Sequence, residues 1–416
     1  MKGWPGLFMG VRKHIYRGAV AAISPRRITP GVLTTGSSDS TSFSMHVRRD
    51  VSYVVTQLTS HVFDLEASAL RDLVGRRPVL IGVDEAVDVL YGAKLRSYAQ
   101  RHLNTLNIVT LRGGESNKGL DQVERICNAA IVAGLPRNGA MIGVGGGVVL
   151  DMVGMAAALY RRGVAFVRIP TTLLGMIDVA VGIKQAVNFR KRKNILGTFY
   201  PPLGVLNDPT FLRTSSRRDL ACGVAEAIKL GLVADRDLFV LLERYLKDLL
   251  DSSFQAPVTI AREVLERSQV VMMEELAPNL YEDNLRRAVD FGHSFSPTLE
   301  LRSDYRLAHG EAVAIDMLLS TAIAVHRGIC PSSLFDRLIA LYDVAGLASI
   351  DNLCTLNLLI EALVDVKGHR GGHLNFPVPS GMGTCAFLQH VDANDCRVAL
   401  SAVARSDSSK TFVASL

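Results

Sequence analysis

Three side chains far apart in the sequence have the types that a divalent metal ion requires. Glu226 sits in Gly223-Val224-Ala225-Glu226-Ala227-Ile228-Lys229, an otherwise apolar helical stretch where an unpaired carboxylate would be costly to bury. His293 lies in Gly292-His293-Ser294-Phe295 and His309 in Ala308-His309-Gly310-Glu311, each beside a glycine. One carboxylate and two imidazoles would supply three protein ligands and leave open positions for substrate oxygens. Spacing alone does not certify the set, because long stretches of chain separate its members. For each histidine taken singly, a hydrogen-bonded core role competes with ligation; only the conjunction favours a metal.

A second group of residues suits an anionic, polyhydroxylated ligand. From Pro170-Thr171-Thr172 the chain passes through Asp178, Lys184, Asn188, Lys193 and Asn194, with Gly175 and Gly182 between them. Ammonium groups match phosphate charge, and amides and a carboxylate match hydroxyls; a solvated surface loop is the competing reading. Upstream, Gly145-Gly146-Gly147 follows an apolar run and precedes Asp151 and the small residues Gly154, Ala156, Ala157 and Ala158. Such a turn lets backbone amides approach a pyrophosphate at a helix N-terminus. It is not GxGxxG, and close strand-to-helix packing would produce it too. Gly114-Glu115-Ser116-Asn117-Lys118 adds an acid and a base within reach of ribose and phosphate oxygens.

These residues need a scaffold, and the hydrophobic pattern predicts one. Segments 78–83, 106–111 and 140–144 read as buried strands, with helices over 86–103 and 120–133 between them, the βαβ grammar of a parallel sheet. Helical patterns then cover 219–233, 237–250, 257–275, 311–326 and 331–342, two of them opening on a proline tolerated in a first turn. The expected architecture is an α/β domain with a Rossmann-like parallel sheet over 43–215, then a mostly α-helical domain over 216–400. A poorly ordered basic extension over 1–42 and a tail over 401–416 flank them. The cleft between the two domains is the expected active site.

With 48 % hydrophobic and 21 % charged residues among 416, 35 of them Gly and only 15 Pro, the chain is globular rather than disordered or fibrous. The longest apolar run, near Met141 to Tyr160, is broken by Asp151, Arg161 and Arg162, which excludes a membrane span there. The net charge of +6 traces to Lys2, Arg12, Lys13, Arg17, Arg26 and Arg27 in a tail that has no acid before Asp39. A nucleic-acid partner therefore has little support. That tail also fits an organellar transit peptide, or a start upstream of a true beginning near Met45. Cys127, Cys222, Cys330, Cys354, Cys385 and Cys396 form no CxxC pair, consistent with reduced thiols in a cytoplasm.

Taken together, the motifs resemble the 3-dehydroquinate synthase superfamily of sugar phosphate cyclases from about residue 45 to 390. The likeness is carried by Asp84, Gly-Glu-x-x-Lys at 114–118, Gly-Gly-Gly-Val at 145–148 with Asp151, and Tyr-x-Arg-Gly at 160–163. It continues through Pro-Thr-Thr-Leu-Leu at 170–174, Lys-x-Ala-Val-Asn at 184–188, Lys-Asn at 193–194 and Ala-Glu-x-Ile-Lys at 225–229. Gly-His-Ser-Phe at 292–295 and His-Gly-Glu-Ala-Val at 309–313 complete it.

The resemblance implies a two-domain, homodimeric cyclase of a small sugar phosphate, dependent on NAD and on Zn2+ or Co2+. It implies that Glu226, His293 and His309 hold the metal. It assigns Asp84, Glu115, Lys118, Gly146, Gly147, Asp151, Thr171, Thr172, Asp178, Lys193, Phe211 and Thr214 to the NAD side. Lys184, Asn194, Lys229, Arg286, Asp290 and, from the neighbouring subunit, Arg162 are assigned to the substrate.

Departures from dehydroquinate synthase narrow the expectation. Pro297 replaces its second histidine, Asp290 replaces an asparagine, and Met272 stands where that enzyme has a lysine for the substrate carboxylate. A methionine cannot pair with a carboxylate, so the expected substrate lacks one. These changes resemble the sedoheptulose 7-phosphate cyclases, and among them the branch that forms 2-epi-5-epi-valiolone. Gln185, where that branch has threonine beside the lysine, leaves the stereochemistry of the product open.

Overall fold

Apolar runs buried on both faces build the first half of the chain, as parallel strands covered by helices require. The computed structural model describes residues 50–413 except 191, together with the short strands β1 (Ile28–Thr29), β2 (Leu33–Thr35), β3 (Phe43–Met45) and β4 (Arg48–Arg49). β1 pairs with β4 and β2 with β3. Most of the segment expected to be a poorly ordered extension lies outside the described residues.

The elements then run β5 (Val54–Gln57), α1 (Ala69–Val74), β6 (Pro78–Asp84), α2 (Glu85–His102), β7 (Asn104–Leu111), α3 (Leu120–Val132), β8 (Ala140–Gly145), α4 (Gly147–Leu159) and β9 (Ala165–Pro170). The antiparallel hairpin β10 (Lys184–Phe189) and β11 (Arg192–Phe199) and the strand β12 (Gly204–Asn207) follow. Six strands form one sheet in the order β5-β12-β9-β8-β6-β7, every ladder parallel. Sheet growth reverses at β6, which has β7 on one side and β8 on the other. Register aligns Val83 with Val144 and Gly145 with Pro170. The loops bearing Asp84, the glycine turn and Thr171–Thr172 thus leave one edge together, where open α/β sheets bind ligands.

The second half comprises α5 (Arg217–Val233), α6 (Arg236–Asp251), α7 (Val258–Leu276), α8 (Ser296–Arg302), α9 (His309–His326), α10 (Ser332–Ala345), α11 (Leu356–His369), the hairpin of β13 (Phe376–Gly381) and β14 (Thr384–Leu388), and α12 (Ala393–Val413). α5 is buried from Leu220 to Val233 and α9 from Ala312 to Ala324, so both are core helices rather than amphipathic covers. One hydrophobic cluster runs from Ile81, Val144 and Ile169 in the sheet to Val224, Met272 and Val313 in the helices.

Several details differ from the sequence expectation. The polar stretch 184–199 is a hairpin, and Gly175–Val179 is a turn of π-helix closed by Ala180 N–H donating to the Gly175 carbonyl at 2.9 Å. The helical half carries the hairpin β13–β14. Pro257 and Pro331 are N-caps rather than first-turn residues. Among the described residues, no helix is long and apolar enough to cross a membrane.

The start of α9 approaches α5 so closely that a Cβ on Gly310 would stand 2.3 Å from the Cys222 carbonyl oxygen. Backbone cannot yield as a side chain can, so Gly310→Ala should destabilise the fold by about 1 to 3 kcal/mol. A fall of that size in the unfolding free energy from urea titration, with loss of metal retention, is the expected readout.

Candidate active site

Glu226 is fully buried on α5, and Lys229, one turn on, lies on the same side with its Nζ 2.5 Å from Oε2. Despite that ion pair, neither carboxylate oxygen accepts a well-aligned hydrogen bond. The Nε2 atoms of His309 and His293 stand 3.4 and 3.8 Å from Glu226 Oε1, and the ligand atoms of all three residues lie within 4.8 Å of one another. Ligands about 2.1 Å from a tetrahedral ion would be about 3.4 Å apart, so the trio fits a Zn2+-sized cation. The other side of each ring is held: His293 Nδ1 is 3.2 Å from the Phe291 carbonyl, and His309 Nδ1 is 2.9 Å from Glu300 Oε1. Outer partners of this kind orient metal-binding imidazoles.

The charges are strongly coupled. Burial alone would raise the Glu226 carboxyl, but Lys229 and the two histidines hold it far below the usual carboxylate range. Burial, with Lys229 nearby, pushes His293 down to about 4, so its ring is neutral and ligand-competent at neutral pH. For His309 burial acts downward too, yet Glu300 and Glu226 outweigh it and raise the ring to about 9.

Both histidine loops are braced from within. Gly292, at φ +77°, accommodates a left-handed turn just before His293. Asp316, buried in α9, accepts backbone N–H bonds from Ser294, Phe295 and Ser296 at 2.7, 2.5 and 2.9 Å, and so ties the loop after His293 to the helix that begins at His309.

At the sheet edge, Asp84 caps α2 by accepting from Ala86 N–H, Thr171 N–H donates to the Gly145 carbonyl, and Gly146 caps α4. Buried Lys118 reaches Asp151 Oδ2 at 2.6 Å and donates to Asn194 Oδ1 at 2.7 Å. Asn188 donates to Glu115 Oε1 at 2.9 Å and accepts from Asn194 N–H at 2.9 Å. These bonds fasten the hairpin β10–β11 to the loop after β7. Arg168, fully buried on β9, donates to the carbonyls of Val179, Ala180, Gly182 and Lys184, which holds the segment joining Asp178 to Lys184. Thr172 Oγ1 accepts from Gly175 N–H, and Gly147 packs on Val179. Asp178 is close enough to act electrostatically on Lys229 and His293.

Lys184 is half exposed and pairs with Glu282 at 2.8 Å; Arg287 pairs with the same carboxylate at 2.8 Å and with Asp290 at 3.3 Å. Arg370 reaches Asp290 from the other side at 3.4 Å. Not every expected residue joins these groups. Arg286 is exposed, its guanidinium 4.7 Å from the Phe387 ring, and the adjacent Arg287 takes the inward position. Phe211 is buried against His61, Phe63 and Tyr91, and Thr214 bonds Tyr91 in the same cluster. Arg162 is exposed on the turn after α4. Gln185 turns inward, its Nε2 donating to the carbonyls of Ile183 and Tyr200, and its stem against Gly154. Its difference from threonine therefore falls on packing beneath the hairpin.

The reasoning that singled out Glu226, an acid in an apolar helix, would also have found Asp316 in Val313-Ala314-Ile315-Asp316-Met317 and Glu300 in Thr298-Leu299-Glu300-Leu301. Nothing local marks Arg168, Glu282 or Arg287.

Fold and site define a class: a nucleotide-binding type of parallel sheet whose strand ends accompany a metal-competent Glu-His-His set carried by α5, the start of α9 and the loop before α8. Residues 108–222 match the 3-dehydroquinate synthase N-terminal family model and residues 223–367 the 3-dehydroquinate synthase C-terminal model. The chain belongs to the 3-dehydroquinate synthase family. It is 41 % identical over 367 residues to a 2-epi-5-epi-valiolone synthase of an Actinoplanes species, covering 86 % of this chain and 92 % of that one. A solved structure of ValA, a 2-epi-5-epi-valiolone synthase from Streptomyces hygroscopicus subsp. jinggangensis with NAD+ and Zn2+ bound, superposes with a TM-score of 0.82 at 40 % identity, covering 86 % of this chain and 98 % of that one. A demethyl-4-deoxygadusol synthase of Trichormus variabilis is 33 % identical, covering 87 % and 90 %.

Coordination through Nε2 requires a neutral ring, whereas His309 without metal holds its proton up to about pH 9. Metal uptake below that pH should therefore release a proton, and affinity should fall about tenfold per pH unit on acidification. Chelator competition between pH 6.5 and 8.5 measures the slope; a flat profile contradicts the assignment of His309.

Proposed function

We propose that this protein cyclises sedoheptulose 7-phosphate, with loss of phosphate, to a C7 cyclitol, 2-epi-5-epi-valiolone, as a carbon–oxygen lyase. NAD and a Zn2+ or Co2+ ion are the proposed cofactors. The observation that carries the reading is the convergence of Glu226, His293 and His309 around a point beside buried Lys229. Support also comes from relatives near 40 % identity along most of the chain. Met272 is buried and uncharged where a carboxylate-bearing substrate would need a cation, which favours a substrate without one.

When bound, the dinucleotide supplies a reversible hydride acceptor and the divalent ion a Lewis acid, which together activate an alcohol carbon for phosphate loss and an intramolecular aldol closure. Glu226, His293 and His309 hold the ion. Asp84, Glu115, Lys118, the glycine turn, Asp151, Thr171 and Thr172 line the dinucleotide at the sheet edge, with Asp178, Lys193, Phe211 and Thr214 around it. Lys184, Lys229 and Asn194 neutralise and orient the phosphorylated substrate. Asp290, between Arg287 and Arg370, completes that set, with Arg162 from the second subunit of a homodimer, while Arg286 turns outward to Phe387 and lies outside it. Lys229 acts at close range because burial leaves little water to screen it.

Incubation with sedoheptulose 7-phosphate, NAD and Zn2+ should yield inorganic phosphate and a cyclitol resolved by NMR, with no net accumulation of NADH. Sustained NADH release from a polyol would instead identify a dehydrogenase. Lys184 is half exposed in its ion pair, so Lys184→Ala should stay folded while turnover falls roughly thirty- to a thousandfold. Glu226→Gln should be inactive and metal-poor; near-normal turnover by either variant would refute its role.

A further inference from the structure

One buried carboxylate belongs to neither the ligand set nor the substrate set. Glu300 lies in the short helix α8, only 2 % exposed, and lends its charge to two partners. Oε1 is 2.9 Å from His309 Nδ1, and Oε2 forms an ion pair with Lys193 of the hairpin β10–β11. Lys193 Nζ is itself 3.5 Å from His309 Nδ1.

The hydrogen-bonding inventory of these three groups has one consistent solution. A carboxylate placed between an ammonium and an imidazole accepts from both, and an ammonium only donates. At 2.9 Å from the carboxylate, His309 Nδ1 must carry a hydrogen, so the proton that the ring gives up on becoming neutral leaves from Nε2, the atom that faces Glu226. Without Glu300, the neighbour of Nδ1 would be Lys193, which can only donate. A neutral ring would then keep its hydrogen on Nε2, aimed at Glu226 Oε1 only 3.4 Å away, and that atom could not ligate.

We infer that Glu300 is a positioning residue that selects the metal-binding tautomer of His309 and shields that choice from Lys193, which it holds as its second partner. The centre and the hairpin that carries Lys184, Asn188 and Asn194 are thereby one connected unit. The inference rests on the metal centre proposed above.

The test compares wild type, Glu300→Gln and Glu300→Ala, with far-UV circular dichroism to confirm folding. Zn2+ affinity is measured by chelator competition, and the tautomer of His309 by 15N shifts of the histidine rings in the Zn2+-loaded and metal-free proteins. Glu300→Gln should bind Zn2+ about 10- to 100-fold more weakly than wild type. Measured under conditions where the ring is neutral, the metal-free variant should move His309 away from the form hydrogenated at Nδ1 alone, and Glu300→Ala should do so further. Should Glu300→Ala fail to fold, Glu300→Gln decides. Zn2+ affinity of Glu300→Gln within threefold of wild type, or an Nδ1–H tautomer that survives the substitution, overturns the inference. Failure of wild type itself to bind Zn2+ through these ligands instead overturns the proposed metal centre.

Discussion

The structure is organised around a carboxylate that has been taken out of water. Glu226 is fully buried on an apolar helix, and its oxygens have no well-aligned hydrogen bonds. A lone charge there would be expensive, and a single lysine 2.5 Å away only partly answers it. The two imidazoles complete a cradle for a cation, so the helix crossing that carries Glu226 past His309 must be held to within tenths of an ångström. Gly310 against the Cys222 backbone permits that crossing, and Asp316 secures the neighbouring loop of His293. Preorganisation here is a property of the supporting residues as much as of the ligands.

The hairpin β10–β11 has a complementary role. It stands outside the main sheet, so its own ladder does not fix its position. Lys118, Glu115 and Asn188 fasten it on the sheet side, Lys193 fastens it to α8, and Arg168 holds the carbonyls leading into it. The fastenings through Lys118, Asn188 and Lys193 each join a charged or amide group to a partner remote in sequence. Lys184 consequently stays half exposed at one end of the hairpin, paired with the carboxylate of Glu282.

Much of this was legible in the residues. The three strands and the principal helices follow from apolar periodicity, which is local: β6, β7 and β8 occupy the expected segments to within two residues. Of the metal-competent trio, Glu226 was legible through chemistry, since an acid in an apolar helix is costly unless it is used, whereas the two histidines gained weight only in conjunction with it. The hairpin was hidden because its exposed and buried positions alternate through polar residues, with Gln185 inside and Lys184 outside. The inward turn of Arg287 rather than Arg286 follows from Glu282 and Asp290, whose placement no local pattern reveals.

By itself, then, the sequence determined the kinds of element, their order and the chemical character of the candidate ligands, because each depends on neighbours a few residues away. Tertiary structure alone decided that Glu226, His293 and His309 meet, that Glu300 sets one of them and shares its charge with Lys193, and that Gln185 packs inward. Those outcomes depend on how helices cross and which carboxylate reaches which cation across the fold, distances that chain spacing does not encode.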